Sequence, residues 1–389
     1  MLYLLAAWRD RRARRLGTCN GTGARPVCKR SVEECLMTDK TLRFALPLFA
    51  ALALAAPASR ADAIMGGRPV DPDRSFTLQI SVGQLSEIKG EVNETTRQLF
   101  ELEGRPEASF EAESYSLEEL GLTDSDITYG FSVEKMWRYI TLRGHLSYMH
   151  AEATSVAPRD FFIGVDKISF EGRNYEYMKI EDGKPFDASL DAAVIGGRMQ
   201  YTPFTIAPEN IISFTPWIHL GLFAIAGTFE VDQGEPERIQ LYENPPREYV
   251  VGGHGEGDSG IFAPELGAGG EFRIYLGQGA GGSPIELSLQ GTYAIFEFHG
   301  SSDSLGVSSR NEKDLDVDYD MYELRAELYW PISKGVDFVL GGEYRVITAD
   351  ASSKAKPKTL EEAQQNREKF DKDIDLEMTF VNGFAGFRW

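Results

Sequence analysis

Cysteine is nearly absent from this 389-residue chain: Cys19, Cys28 and Cys35 are its only three, and all fall in the first 35 residues. The rest of the chain therefore has no disulfide framework and no cysteine-ligated metal, and it draws no stability from an oxidising compartment. Positive charge is scarce too, with 40 Lys+Arg against 60 Asp+Glu and a formal net charge of −20. So acidic a chain makes a poor partner for nucleic acid. Acidity of this size also suits disorder, but the Gly and aromatic content and a clear periodicity oppose that reading. The apolar stretch from Phe44 to Ala56 has 13 residues, short of the ~20 that a membrane-spanning helix needs. P-loop, dinucleotide, HExxH and GxSxG motifs are all missing, so no cofactor and no metal are expected.

What is present begins with "MTDKTLRFALPLFAALALAAPASRADA", Met37 to Ala63. A basic start (Lys40, Arg43), an apolar middle and a small-residue "ADA" follow the grammar of a secretory signal peptide, which predicts cleavage after Ala63 and export. Residues 1–36, with their basic "RDRRARR", read as an over-extended start or an unusually long leader. Residues 64–389 form the expected domain. Residues 1–63 hold 11 Lys+Arg and 5 Asp+Glu, so the domain itself carries a net −26.

Through that domain, apolar and polar residues alternate with period two, the mark of half-buried strands. "VDYDMYELRAELYW" (317–330) sets Tyr322, Leu324, Ala326, Leu328 and Trp330 against Glu323, Arg325, Glu327 and Tyr329. "VDFVLGGEYRVI" (336–347) repeats the pattern after a four-residue turn. The segments 139–150, 211–224, 262–276 and 285–299 do the same, with weaker versions at 75–84, 127–136, 186–202 and 372–389. Connections alternate strictly between short (136–139, 203–210, 277–284, 331–335) and long (85–126, 153–185, 231–259, 300–315, 350–371). In the last long connection, "KAKPKTLEEAQQNREKF" suits a short helix, with Glu361 and Glu362 near its start and Arg367 and Lys369 near its end.

A β-sandwich also alternates, but its strands usually run about 5 to 6 residues, and these are about twice as long. Long strands, short turns at one end, long loops at the other and an export signal together predict a transmembrane antiparallel up-and-down β-barrel of the outer membrane. In lipid every backbone polar group must pair, so only a closed sheet can span. Closure with the strand parity gives ten strands, with eight and twelve as alternatives, short periplasmic turns and long external loops. The apolar face looks outward, with Trp330, Trp389, Tyr322 and Tyr148 in the interfacial girdle. The polar face places Arg143, His145, Asp187, Asp191, His219, Glu265, Glu271, Arg273, Glu286, Glu323, Arg325, Glu327, Glu343 and Arg345 in the lumen. So narrow a barrel must pair these charges, since isolated buried ions are costly. The expectation is a lumen plugged by ion pairs and water.

The strand number, the five long loops and the first strand with its extension, "FTLQISVGQLSEIKGEV", resemble the omptins, ten-stranded outer-membrane proteases. That resemblance implies acids at the rim in the second long loop and an Asp–His pair in the fourth, with water activated between them. The second loop here holds His150, Glu152, Asp160 and Asp166, and the fourth holds His299 and Asp303. His150, Glu152, His299 and Asp303 are the catalytic candidates, without an adjacent Asp-x-His; the alternative role of a histidine at a strand end is a hydrogen bond at the rim. "GGHGEGDSG" (252–260) offers His254, Glu256 and Asp258 as a weaker cation cluster beside a plain flexible loop. The leading expectation is a monomeric barrel that displays acidic loops for surface interaction or adhesion. A hydrolase at the loop rim and a narrow channel are the alternatives. Expected partners are outer-membrane lipid and lipopolysaccharide, reached through divalent cations or basic spots such as Arg159, Arg173 and Arg247, and an extracellular ligand or peptide.

Overall fold

A computed structural model of the chain describes residues 64–102, 105–124, 127–209, 211–243, 246–301, 313–355 and 369–389. The leader and signal peptide, Asp303 and the central residues of the expected helix (356–368) lie outside them. The described chain forms seventeen strands. In the first half they are β1 (Ile64–Gly66), β2 (Phe76–Leu102), β3 (Arg105–Ser116), β4 (Ile127–Met136), β5 (Ile140–Val156), β6 (Phe161–Phe170), β7 (Arg173–Ile180), β8 (Pro185–Tyr201) and β9 (Phe204–Glu209). In the second half they are β10 (Ile212–Asp232), β11 (Arg238–Glu243), β12 (Pro246–Val251), β13 (His254–Gln278), β14 (Pro284–Ser301), β15 (Lys313–Ser333), β16 (Val336–Ala355) and β17 (Lys369–Arg388).

Ten of these strands close a barrel, in the ring order β2–β4–β5–β8–β10–β13–β14–β15–β16–β17 and back to β2. Each neighbouring pair is antiparallel. The terminal strand, far from fraying, closes the ring: Phe76 and Trp389 exchange backbone hydrogen bonds of 2.7 and 2.8 Å. Their rings pack at 4.9 Å. The turns at one end of the ring are short, as between Met136 and Ile140 or Ser333 and Val336. The other end carries the long connections.

Over its lower half the wall is apolar outside and polar inside. Leu289, Leu324, Leu340, Leu220 and Ile195 are exposed outward, while Glu323, Arg325, Glu343 and Arg345 are buried inward. Exposed aromatics mark both edges of the outer band: Trp137, Tyr139, Tyr201, Trp330 and Trp389 at the short-turn edge, Tyr129, Tyr148 and Tyr344 at the other. From Tyr322 to Trp330 the band is eight residue steps, ~27 Å along a strand. Aromatic girdles flanking an apolar belt are the pattern of a barrel surrounded by lipid.

Toward the long-connection end the hydropathy of the two faces inverts while the parity holds. On β15, Asp316, Asp318 and Asp320 share the outward parity of Leu324, and Tyr319 and Met321 share the inward parity of Glu323. Ala294, Met321, Ile347 and Met378 form one register row across β14–β17. They sit directly above the row of Thr292, Glu323 and Arg345. Above the belt the outer face meets water and the inner face meets protein, so the requirement on each reverses. The strands therefore run further at this end than the alternation predicts, with β13 starting at His254 and β16 reaching Ala355.

A second sheet covers this end. β6 and β7 form a hairpin, β7 pairs in parallel with β12, and β12 pairs with β11. The β6–β7 turn has φ of 50° at Glu171 and 76° at Gly172, the left-handed pair that a two-residue hairpin turn requires. Phe161, Ile163, Ile168, Met178, Ile180 and Val250 from this sheet join Met149, Phe186, Phe223, Met321 and Met378 from the barrel in one buried cluster. β2 and β3 form a further hairpin, with pairing from Glu91↔Ser116 to Leu102↔Arg105.

Candidate functional site

The interior of the belt is an ionic layer. Glu323 is its centre: it meets Arg143 at 2.9 Å, Arg198 at 2.9 Å and Arg345 at 3.3 Å. Glu343 holds Arg143 at 3.1 Å, Arg325 at 2.9 Å and Arg345 at 2.6 Å. Below, Glu271 and Glu286 hold Arg273 at 2.9 and 3.3 Å, and Glu286 and Asp337 hold Arg388 at 3.1 and 2.6 Å. Arg325 lies 4.0 Å over the Phe384 ring and Arg388 lies 3.9 Å over Tyr329. Arg345 donates to His145 Nε2 at 3.2 Å. His219 stands 3.8 Å from Glu265, which accepts from Arg198 at 2.5 Å.

Several members of this layer were not singled out from the sequence. Gln79 and Gln290 both donate to Glu327, at 2.9 and 2.8 Å. Arg198, Asp337 and Arg388 sit at polar positions of alternating strands, where the inward parity was a usable signal. Arg68 and Arg74 had no such signal. They come from the segment after β1, where Arg68 reaches Glu271 at 3.3 Å and Arg74 reaches Asp337 at 3.2 Å. Among the described residues, seven arginines (68, 74, 143, 198, 325, 345, 388) and seven acids (265, 271, 286, 323, 327, 337, 343) are buried. The layer is thus close to neutral, and the domain's excess negative charge lies outside it.

Two of the expected lumen residues belong elsewhere. On β8 the even positions face inward, from Phe186, Ala188, Ala192 and Val194 down to Arg198 and Gln200. Asp187 and Asp191 therefore face outward, above the lipid belt, where polar residues belong on the outer face. Asp187 accepts from Thr154 Oγ1 at 2.6 Å. Asp191 accepts from Tyr148 and lies 2.9 Å from His150 Nδ1.

Of the four catalytic candidates, the two whose side chains are described, His150 and Glu152, do not face an inner cleft. His150 and Glu152 stand on the outward parity of β5, with His150 Nε2 3.7 Å from Glu152. They face away from the lumen because Met149 and Ala151 occupy the inward positions and are buried. The backbone of His299 lies opposite Asp316; its side chain and Asp303 lie outside the described residues. Asp160 serves the cap, accepting from the Asp182 amide at 2.8 Å and from Lys179 at 2.6 Å. These contacts, the amide first, hold its carboxyl below the usual value. Glu181 is lowered likewise by its hydrogen bond to Lys184, with Arg238 also bound at 2.7 Å.

Much of the remaining charge belongs to the long connections. Residues 85–126 hold 12 Asp+Glu and three Lys+Arg. Arg159 bonds Glu119 at 3.1 Å and Arg173 lies 3.9 Å from Glu248. His254 is 3.5 Å from Asp232, and among the described residues no three His, Cys, Asp or Glu are arranged to hold a metal ion.

No protein-family model matches the chain, and no curated protein matches it. Among solved structures, the crystal structure of outer membrane protease OmpT from Escherichia coli is similar, at 8% identity and a TM-score of 0.34. The match covers 83% of this chain and 99% of that one. The ten-strand ring itself is read from this chain's own pairing.

Proposed function

We propose that the protein is an integral outer-membrane barrel that works through its external surface, in contact with extracellular ligands, and does not use its lumen. The observation that carries this reading is the double seal. An ionic layer fills the barrel at belt depth, and an apolar layer under a four-stranded cap closes it above. Diffusion through the lumen would have to break both. A rim hydrolase would need His150 and Glu152 turned toward a cleft, and they face outward. What remains available is the outer surface of the cap and the acidic β2–β3 hairpin, held by built sheets.

In this reading the belt is solvated by outer-membrane lipid and lipopolysaccharide, the barrel is monomeric, and the acidic surface favours a cationic ligand or peptide through electrostatic steering. Replacing residues 91–116 by a tight turn tests it. Cells or vesicles displaying the intact protein should retain a fluorescent cationic peptide in a salt-sensitive way, and the shortened variant should lose most of that retention. Equal retention by both, at low salt and with equal surface display, would overturn the proposal.

A further inference from the structure

Two grooves meet on the outside of the barrel at its short-turn end. One, of about 880 Å³, is bordered by Lys135, Lys334, Ser75, Phe76, Trp389 and Asp73. The other, of about 830 Å³, climbs the outer face across β4, β5, β8 and β10 to β13. Phe76 and Lys135 border both grooves, so the two adjoin.

The second groove is a trench with a bare floor. Gly144 and Gly197 lie opposite each other on β5 and β8. Leu142, Met199, Ile195, Leu220, Leu222 and Phe262 stand exposed around them. The fold does not demand these glycines. A Cβ at Gly197 would meet only the Arg143 carbonyl, at 4.0 Å, and one at Gly144 would meet the Val133 side chain at 3.5 Å. Neither has a positive φ. From Lys135 the trench crosses four strand spacings and rises four residues, ~23 Å on the diagonal, long enough for an acyl chain. At its foot, two lysines border one pocket in a domain that is otherwise strongly acidic. Lys135 Nζ is 2.7 Å from Ser75 Oγ, and the Phe76–Trp389 ring pair sits beside it. Amphipathic lysines and aromatics at the edge of an apolar belt suit the level of lipid headgroups.

We propose that this composite groove binds one anionic phosphoglycerolipid of the leaflet at the short-turn end, its phosphate on Lys135 and Lys334 and one acyl chain along the Gly144–Gly197 trench. Asp73 supplies the one carboxylate side chain among the residues bordering the pocket. The inference rests on the membrane reading, and the experiment separates the two. The full chain is folded into detergent micelles, where heat-dependent gel migration reports closure of the barrel. Failure to close would count against the membrane reading, and with it against the site. Native mass spectrometry of closed barrels is then read with phosphatidylglycerol and, separately, with uncharged diacylglycerol. Wild type should retain one phosphatidylglycerol and little diacylglycerol. Lys135→Ala with Lys334→Ala should lower retention about tenfold, and Gly197→Leu, which fills the trench and leaves both lysines, should do the same. If the lysine variant, whose changes are on the surface, retains as much phosphatidylglycerol as wild type, or if both lipids are retained equally, the proposal fails.

Discussion

Glu323 shows what a single residue carries in this fold. Three guanidinium groups converge on one buried carboxylate, and removing it leaves these buried cations sharing too little negative charge. Breaking a buried pair from one side typically costs ~3–5 kcal/mol. Glu323→Ala should therefore lower barrel stability by about that amount, read as the urea midpoint of tryptophan fluorescence in micelles. A loss under ~1 kcal/mol would show a wet, permissive lumen instead. His150→Ala and Glu152→Ala are the contrast: both groups are half-exposed or exposed on the outer wall, so each should shift the same midpoint by no more than ~0.5 kcal/mol. Most of the ionic layer was legible at this scale. A charge on the polar face of a long alternating strand points inward wherever the other face meets lipid. That rule misplaced Asp187 and Asp191 because above the lipid it no longer applies, and parity continued from Arg198 is the only sound guide there.

At the scale of elements, the strands change their chemistry without changing their register. β15 passes from outward Asp320 to outward Tyr322 across Met321, and β16 switches at the same rows, from Thr348 to Val346. The alternation marked the belt portions of all ten barrel strands. It faded where the faces exchange roles, so the upper ends of β10, β13 and β16 were read as loop. The cap sheet was hidden in the same way, although "FEGR" at 170–173 carried a hairpin-turn signal. The cap has its own pH dependence. Asp160 and Glu181 have carboxyls held below their ordinary values, so the folded cap binds those protons less readily than the unfolded segment. Their contribution is complete above the ordinary carboxylate range, near pH 4, and is lost as the pH falls through the lowered values. Asp160 is about half exposed and Glu181 lies partly exposed at the surface of the cap, so the effect is small and local. Limited proteolysis by an acid-active protease should cut between residues 157 and 184 at pH 3 before the barrel opens, and Asp160→Asn should bring that cleavage to higher pH. Simultaneous cutting of cap and barrel would show that the cap has no separate stability.

The whole molecule is a closed wall with two different seals and an acidic outer end. A barrel sealed in this way should show no conductance above background in planar bilayers, even at high salt. Removing the cap alone should not open it, because the ionic layer lies below. Steady single-channel steps from wild type would contradict both seals. All of this depends on the outer face of the lower wall meeting lipid. Leu289 tests that contact most directly. It stands outward on β14 near mid-belt, between Ile285 and Tyr293, and is 43% exposed. With the protein folded into lipid vesicles and unfolded in urea, Leu289→Arg should cost ~2–4 kcal/mol, the penalty of a cation at the bilayer midplane. A change within ~0.5 kcal/mol, the usual effect of a substitution on a water-exposed surface, would contradict the membrane-spanning barrel.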